Sequence, residues 1–257
     1  MRRVLITGGA GRIGQSLRER LSPDYALRLL DIADADGGPG VEVVRADLTD
    51  REAVEAACDG VDAVIHLGGI PTEAAWEDLV RVNIDGSRTV LEAARATGVP
   101  RVVLASSVHA AGFYPRTATP LGADTPGRPD TYYGWSKAAI ESLGSLYADR
   151  FGMTVFAIRI GAFQPAPYTD ADVPIWLAPD DCARLMRACL ETAVTGFRVL
   201  WGVSANSTGW LALDDAVGYV PLDDSVRFAD QATPSDAETM NRLGGVFCRK
   251  PLGQPDR

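Results

Sequence analysis

Arg2-Arg3-Val4-Leu5-Ile6-Thr7-Gly8-Gly9-Ala10-Gly11-Arg12-Ile13-Gly14 sets how the rest of the chain is read. Val4, Leu5 and Ile6 form the short apolar run that a strand buried in a parallel sheet requires. Gly8, Gly11 and Gly14 follow in a G-x-x-G-x-x-G spacing, and a helical pattern opens at Ile13. Such a turn needs a residue that tolerates positive φ. It also needs backbone free of Cβ atoms where a pyrophosphate approaches, and a small residue where the helix packs on its strand. The helix N-terminus then offers its unpaired N–H groups to the phosphates. A glycine turn between a strand and a helix is the context in which this spacing points to dinucleotide binding.

Outward from that turn, strand and helix patterns alternate. The first helix runs from Ile13 to Leu21 and is closed by Ser22-Pro23. Strands follow at 26–30, ending at Asp31, and at 41–46, ending at Asp47. A helix starts near Asp50, whose side chain is placed to cap it. The fourth strand is 63–67, and a long helix spans Trp76 to Thr97 with Gly98 as its stop. The fifth strand, 101–105, ends at Ser106-Ser107. A helix over 133–151 and a sixth strand over 154–159 complete the run. This order predicts an α/β fold with a doubly wound, parallel Rossmann-type sheet. Residues 161–178 read as a loop, a helix follows from about Asp180 to Glu191, and a strand spans Phe197 to Val203. No linker divides the chain. It is expected to be one domain, with a cofactor-binding core over 1–160 and the last sheet elements and a small substrate lobe over 161–257.

Composition narrows the function. With 257 residues, 46% hydrophobic and 23% charged, the chain has the make-up of a soluble globule with a large core. A net charge of −9 argues against nucleic acid or an anionic membrane as partner. No apolar run reaches the length of a membrane span. The four cysteines show no C-x-x-C pairing, and Cys182 and Cys189 fall on one helix face as packing residues. With His66 and His109 the only imidazoles, no metal site is expected. Reduced thiols and a cytoplasmic location are the simplest reading.

Asp31 ends the second strand, where a carboxylate accepts hydrogen bonds from the adenosine ribose of NAD and repels the 2′-phosphate of NADP. No basic residue follows it until Arg45. Asp47 is a candidate partner for the adenine amino group, or a cap. Tyr133-Gly134-Trp135-Ser136-Lys137 has the Y-x-x-x-K form, which puts both functional side chains on one helix face. A nearby ammonium favours phenolate and fits Tyr133 for removing a hydroxyl proton as hydride leaves the same carbon. Ser107, at the end of the preceding strand, is placed to hydrogen-bond the reacting oxygen. Asn83 either holds a water, buttresses the site, or is an ordinary polar position in its helix.

Together these residues resemble the extended branch of the short-chain dehydrogenase/reductase superfamily, the NAD-dependent epimerase/dehydratase-like enzymes, over nearly the whole chain. The resemblance implies a Ser107–Tyr133–Lys137 catalytic set, with Lys137 also binding the nicotinamide ribose. It implies NAD held along Gly8, Gly11, Arg12, Ile13, Gly14, Asp31, Asp47, Leu48, Leu67, Asn83, Tyr133, Lys137 and Ile160. Several stretches are similar to uronate dehydrogenases, which oxidise the C1 hydroxyl of a cyclic hexuronate to a lactone with NAD. These are 66–70, 105–109 with Tyr114-Pro115, Arg128-Pro129-Asp130 with Tyr133-Gly134, 159–161, 201–206 and 244–247. By this resemblance His109 contacts substrate hydroxyls, Phe247 walls the pocket, and Pro71, Ser107 and Val108 face the substrate.

Three departures bear on the substrate. Val108 stands where that family has Asn, and Pro71 where it has Ser. Residues 160–183 also lack the loop arginine that clamps the substrate carboxylate, and carry Asp170, Asp172, Asp180 and Asp181 instead. A buried carboxylate needs a paired donor. Either another arginine, such as Arg116 or Arg128, moves in, or the substrate lacks that carboxylate, and a neutral aldose or another small polyol-like alcohol fits the acidic loop better. The leading expectation is NAD-dependent oxidation of a small sugar or sugar acid. The alternatives are an NAD-retaining epimerase or dehydratase, and a non-catalytic NAD sensor. A homo-oligomer is implied by the family alone.

Overall fold

The computed structural model describes residues 2–255. Its centre is a seven-stranded sheet in the order β3-β2-β1-β4-β5-β6-β9. The strands are β1 (Arg3–Thr7), β2 (Ala26–Asp31), β3 (Glu42–Arg45), β4 (Ala63–His66), β5 (Arg101–Ser107), β6 (Thr154–Ile160) and β9 (Phe197–Gly202). Every pair is parallel, and all the connections but the one between β2 and β3 pass through helices. The chain leaves β1 in one direction for β2 and β3, then returns to β1's other side for β4. That reversal opens a crevice beyond the carboxyl ends of β1 and β4, where open α/β sheets bind ligands.

Alternation along the strands loads both faces. Val4, Ile6, Leu29, Ile65 and Phe156 pack against α1 (Arg12–Leu21) and α6 (Pro179–Glu191). Leu5, Leu30, Val64, Val102 and Val155 pack beneath α2 (Arg51–Cys58), α4 (Gly86–Ala96) and α5 (Tyr132–Phe151). Each such side chain contributes about 1.5–3 kcal/mol by leaving water. Cys182 and Cys189 sit fully buried on the inner face of α6. Asp50 caps α2, accepting from the Ala53 amide at 3.1 Å.

The long helix expected over 76–97 is interrupted. It comprises α3 (Trp76–Leu79), a π-helical turn over Val80–Asp85, and α4. Residues 161–178 are also more ordered than a loop. β7 (Ala162–Phe163) and β8 (Trp176–Leu177) pair in parallel, and the Trp176 indole donates to the Gln164 carbonyl at 2.8 Å. Strands of two residues flanked by prolines leave no period-2 pattern to read. The tail folds mainly as 3₁₀ turns at Ser225–Gln231 and Gly245–Arg249, which bring residues 242–247 back over the carboxyl ends of the strands.

Candidate active site

One cavity of about 950 Å³ runs along the carboxyl ends of the strands, from the glycine turn to Phe247. Gly8 adopts φ +71°, and a Cβ there would lie 2.7 Å from the Gly68 amide nitrogen. A Cβ on Gly14 would overlap the Gly8 carbonyl. No side chain caps α1 at Gly11, so its first-turn N–H groups are left for an anion, beside Gly11, Arg12, Ile13 and Gly14 in the cavity wall. This cradle fits a pyrophosphate.

Asp31 holds the turn from outside. Its Oδ2 accepts from the Ala10 amide at 2.9 Å and its Oδ1 from the Ala33 amide at 3.0 Å. A carboxylate offers about four acceptor sites, so ribose hydroxyls still find a place on it. Asp47 lines the same end, and Thr49's amide and hydroxyl, both 2.9 Å from Oδ1, hold it below the usual carboxylate range. Leu48 and Leu67 complete the wall, and Ile160 lies further along it.

Asn83 requires a correction: it is buried and does not line the cavity. Its Oδ1 accepts from the Ile70 amide at 2.8 Å, and its Nδ2 donates to the Ile70 carbonyl at 3.1 Å and to Ser136 Oγ at 2.9 Å. It fastens the loop after β4 to α5, with both Nδ2 protons engaged.

The reacting end is set by β5 and α5. Thr131 caps α5, its hydroxyl accepting from the Gly134 amide at 3.0 Å. Tyr133 and Lys137 lie one turn apart, with the Lys137 Nζ 5.6 Å from the Tyr133 ring centre and donating to the Ala105 carbonyl at 2.9 Å. Ser107, at the end of β5, lines the cavity beside Tyr133 and accepts from the His109 amide at 3.2 Å. Burial pushes Tyr133 up to about 12, against the lowering effect of the neighbouring Ser107 side chain, and pushes Lys137 down to about 8. The sequence reading expects a phenol lowered by Lys137. Here desolvation prevails, and the ammonium is turned toward a carbonyl.

Pro71, Val108, His109 and Phe247 all line the far end. His109 stacks on Phe247 with ring centres 3.9 Å apart, and Lys250 Nζ lies 3.7 Å over the Phe247 ring. Neither arginine suggested as a clamp is present: Arg116 donates to Thr208 and Arg128 lies over Tyr114. Arg242, which the sequence reading passes over, lines the cavity with one nitrogen 3.1 Å from the Phe113 carbonyl. The acidic segment is less concentrated there than its sequence suggests. Asp172 lines the cavity, whereas Asp180 pairs with Arg20 and Asp181 with Arg184.

Glu73 is a second missed residue. Fully buried, it accepts from the Tyr133 amide at 2.8 Å and from the Gly253 amide at 2.7 Å, joining the catalytic turn to the tail. Nothing in the sequence links positions so far apart.

A parallel sheet with a glycine cradle, a strand-end aspartate and a Ser–Tyr–Lys set in one crevice defines the short-chain dehydrogenase/reductase class. A model of the NAD dependent epimerase/dehydratase family matches residues 4–164, and the chain belongs to that family, whose cofactor is NAD. It is 43% identical to a uronate dehydrogenase of Pseudomonas putida over 95% of each chain. It is 38% identical to an NAD-dependent glucose-6-phosphate dehydrogenase of Haloferax volcanii, over 91% of this chain and 98% of that one. Among solved structures it matches uronate dehydrogenase from Agrobacterium tumefaciens, a tyrosine-to-alanine mutant complexed with NAD. That match has a TM-score of 0.92 and 39% identity over 98% of each chain. Among the described residues, no helix is long and apolar enough to cross a membrane.

Proposed function

We propose that the protein oxidises the C1 hydroxyl of a small cyclic sugar or sugar acid to the lactone, with NAD as oxidant. The observation that carries this is that Ser107, Tyr133 and Lys137 line the same cavity as the glycine cradle. Bound NAD supplies the hydride acceptor. Gly8, Gly11 and Gly14 admit its pyrophosphate, Asp31 receives ribose hydroxyls, and Lys137 lies where the nicotinamide ribose is expected. Ser107 Oγ holds the substrate oxygen, and Tyr133 takes its proton as the C1–H bond breaks. The ring oxygen on C1 makes the product a lactone. Relatives named uronate and glucose-6-phosphate dehydrogenase support a sugar substrate. Three of the four free cysteines are buried, which fits a reducing cytoplasm.

Substrate identity turns on the far end. Without a loop arginine, a neutral aldose meets Pro71, Val108 and Ala171 at little desolvation cost, and an acidic sugar would depend on Arg242. NADH formation should be followed by absorbance with NAD and NADP, against hexuronates, hexose phosphates and neutral aldoses. Turnover of at least one sugar with NAD is expected. Tight NAD binding with no turnover of any of them would overturn the reading.

A further inference from the structure

Among the described residues, His109 carries a ring hydrogen bond at Nδ1 alone. Nδ1 lies 2.7 Å from Asp130 Oδ2, and the ring lines the cavity with 17% of its side chain exposed. Asp130 has 0% side-chain exposure and does not line the cavity. The Thr131 hydroxyl, itself accepting from the Gly134 amide, donates to Asp130 Oδ1 at 2.9 Å. A Cβ on Gly112 or Gly244 would overlap Asp130 Oδ2. Two chain segments therefore close on this carboxylate, and the cap of α5 holds its other oxygen.

We propose that Asp130 is a positioning residue that fixes His109 as its Nδ1–H tautomer, so that Nε2 presents a lone pair to a hydroxyl of the substrate. An ionised carboxylate only accepts, so Nδ1 must donate. In the neutral ring the other nitrogen is then an acceptor. Phe247 on one face and Tyr133 at 5.9 Å on another side hold the ring plane. His109 thus selects a substrate that can donate a hydrogen bond there, a sugar hydroxyl, over an ether or a deoxy position. This inference rests on the proposed sugar oxidation for its substrate, but the tautomer itself belongs to the free enzyme.

The chain provides its own control, because its second histidine is held the opposite way. Ser87 Oγ donates to the Asn83 carbonyl at 2.5 Å and must accept from His66 Nε2 at 2.9 Å. Thr7 Oγ1 accepts from the Gly68 amide at 3.2 Å and donates to His66 Nδ1 at 2.7 Å. His66 is therefore the Nε2–H tautomer.

The test is ¹⁵N-histidine NMR of the full chain, which holds two imidazoles. The wild-type spectrum should show one ring of each tautomer. In Asp130→Ala, with no carboxylate to receive Nδ1–H, His109 should no longer be held in that form and should show a mixture of tautomers, while His66 stays unchanged. The KM for the sugar should rise about tenfold, with kcat and NAD affinity within about threefold of wild type, as losing one buried hydrogen bond implies. Two Nε2–H rings in the wild type would overturn the tautomer assignment without any variant being made. An unchanged His109 in Asp130→Ala would remove Asp130's role. A mixture of tautomers with an unmoved KM would show that Nε2 meets no substrate hydroxyl. Failure of the oxidation reading shows separately, as no turnover of any sugar by the wild type.

Discussion

At the Gly8–Asp31 end of the cavity, main chain forms the site. At the Pro71–Phe247 end, side chains from the loop after β4, the turn after β5, the 161–178 segment and the tail meet across the opening. The first end is dictated by sterics: a Cβ at Gly8 or Gly14 has nowhere to go. The second is a matter of choice among side chains, and exchanges there leave the sheet untouched. This is how one scaffold keeps its cofactor while its substrate changes.

Four substitutions probe that division, in falling order of effect. Tyr133→Phe removes the proposed base between the two ends. Turnover should drop about 1,000-fold, while NAD binding, followed by fluorescence, is retained; persistent activity would mean another group takes the proton. Lys137→Met should lower kcat about 100-fold. An ammonium stabilises phenolate, so its loss raises the phenol further, and the limb of the pH–rate profile that rises with pH should move to higher pH. A limb that stays in place would separate Lys137 from the phenol. Asp31→Ala should raise the KM for NAD about tenfold and narrow its advantage over NADP, given the worth of a hydrogen bond to a charged group. Substrate KM should not follow, since Asp31 serves the other end. Smallest, Ala171→Arg puts a cation into the wall of the substrate end and should improve kcat/KM for a hexuronate over its neutral aldose about fivefold. Equal gains for both sugars would mean the new side chain does not reach the carboxylate.

The same division explains what the sequence disclosed. Glycine spacing, strand-end aspartates and an i, i+4 Tyr–Lys pair are local, so the sheet, the cradle and the catalytic helix were legible from residue order. Asn83's place on the cofactor came only from the family resemblance, and its side chain instead meets Ile70 and Ser136, contacts that residue order does not reveal. Glu73 and Arg242 reach the site only through tertiary folding, from segments with no periodic signal. The short strands β7 and β8 escaped for the same reason.

The π-turn over Val80–Asp85 also governs how this chain can change in length. Removing one residue there would convert it to α-helix and rotate α3 against α4 by about 100°, one residue's share of a 3.6-residue turn. Leu79, now fully buried, would swing out of its packing, and Asn83 would leave Ile70. A polar substitution at an exposed position such as Arg81 would disturb neither. Over this stretch a one-residue deletion should be harder to accommodate than several exchanges of letters, so homologous chains should keep its length more strictly than its composition.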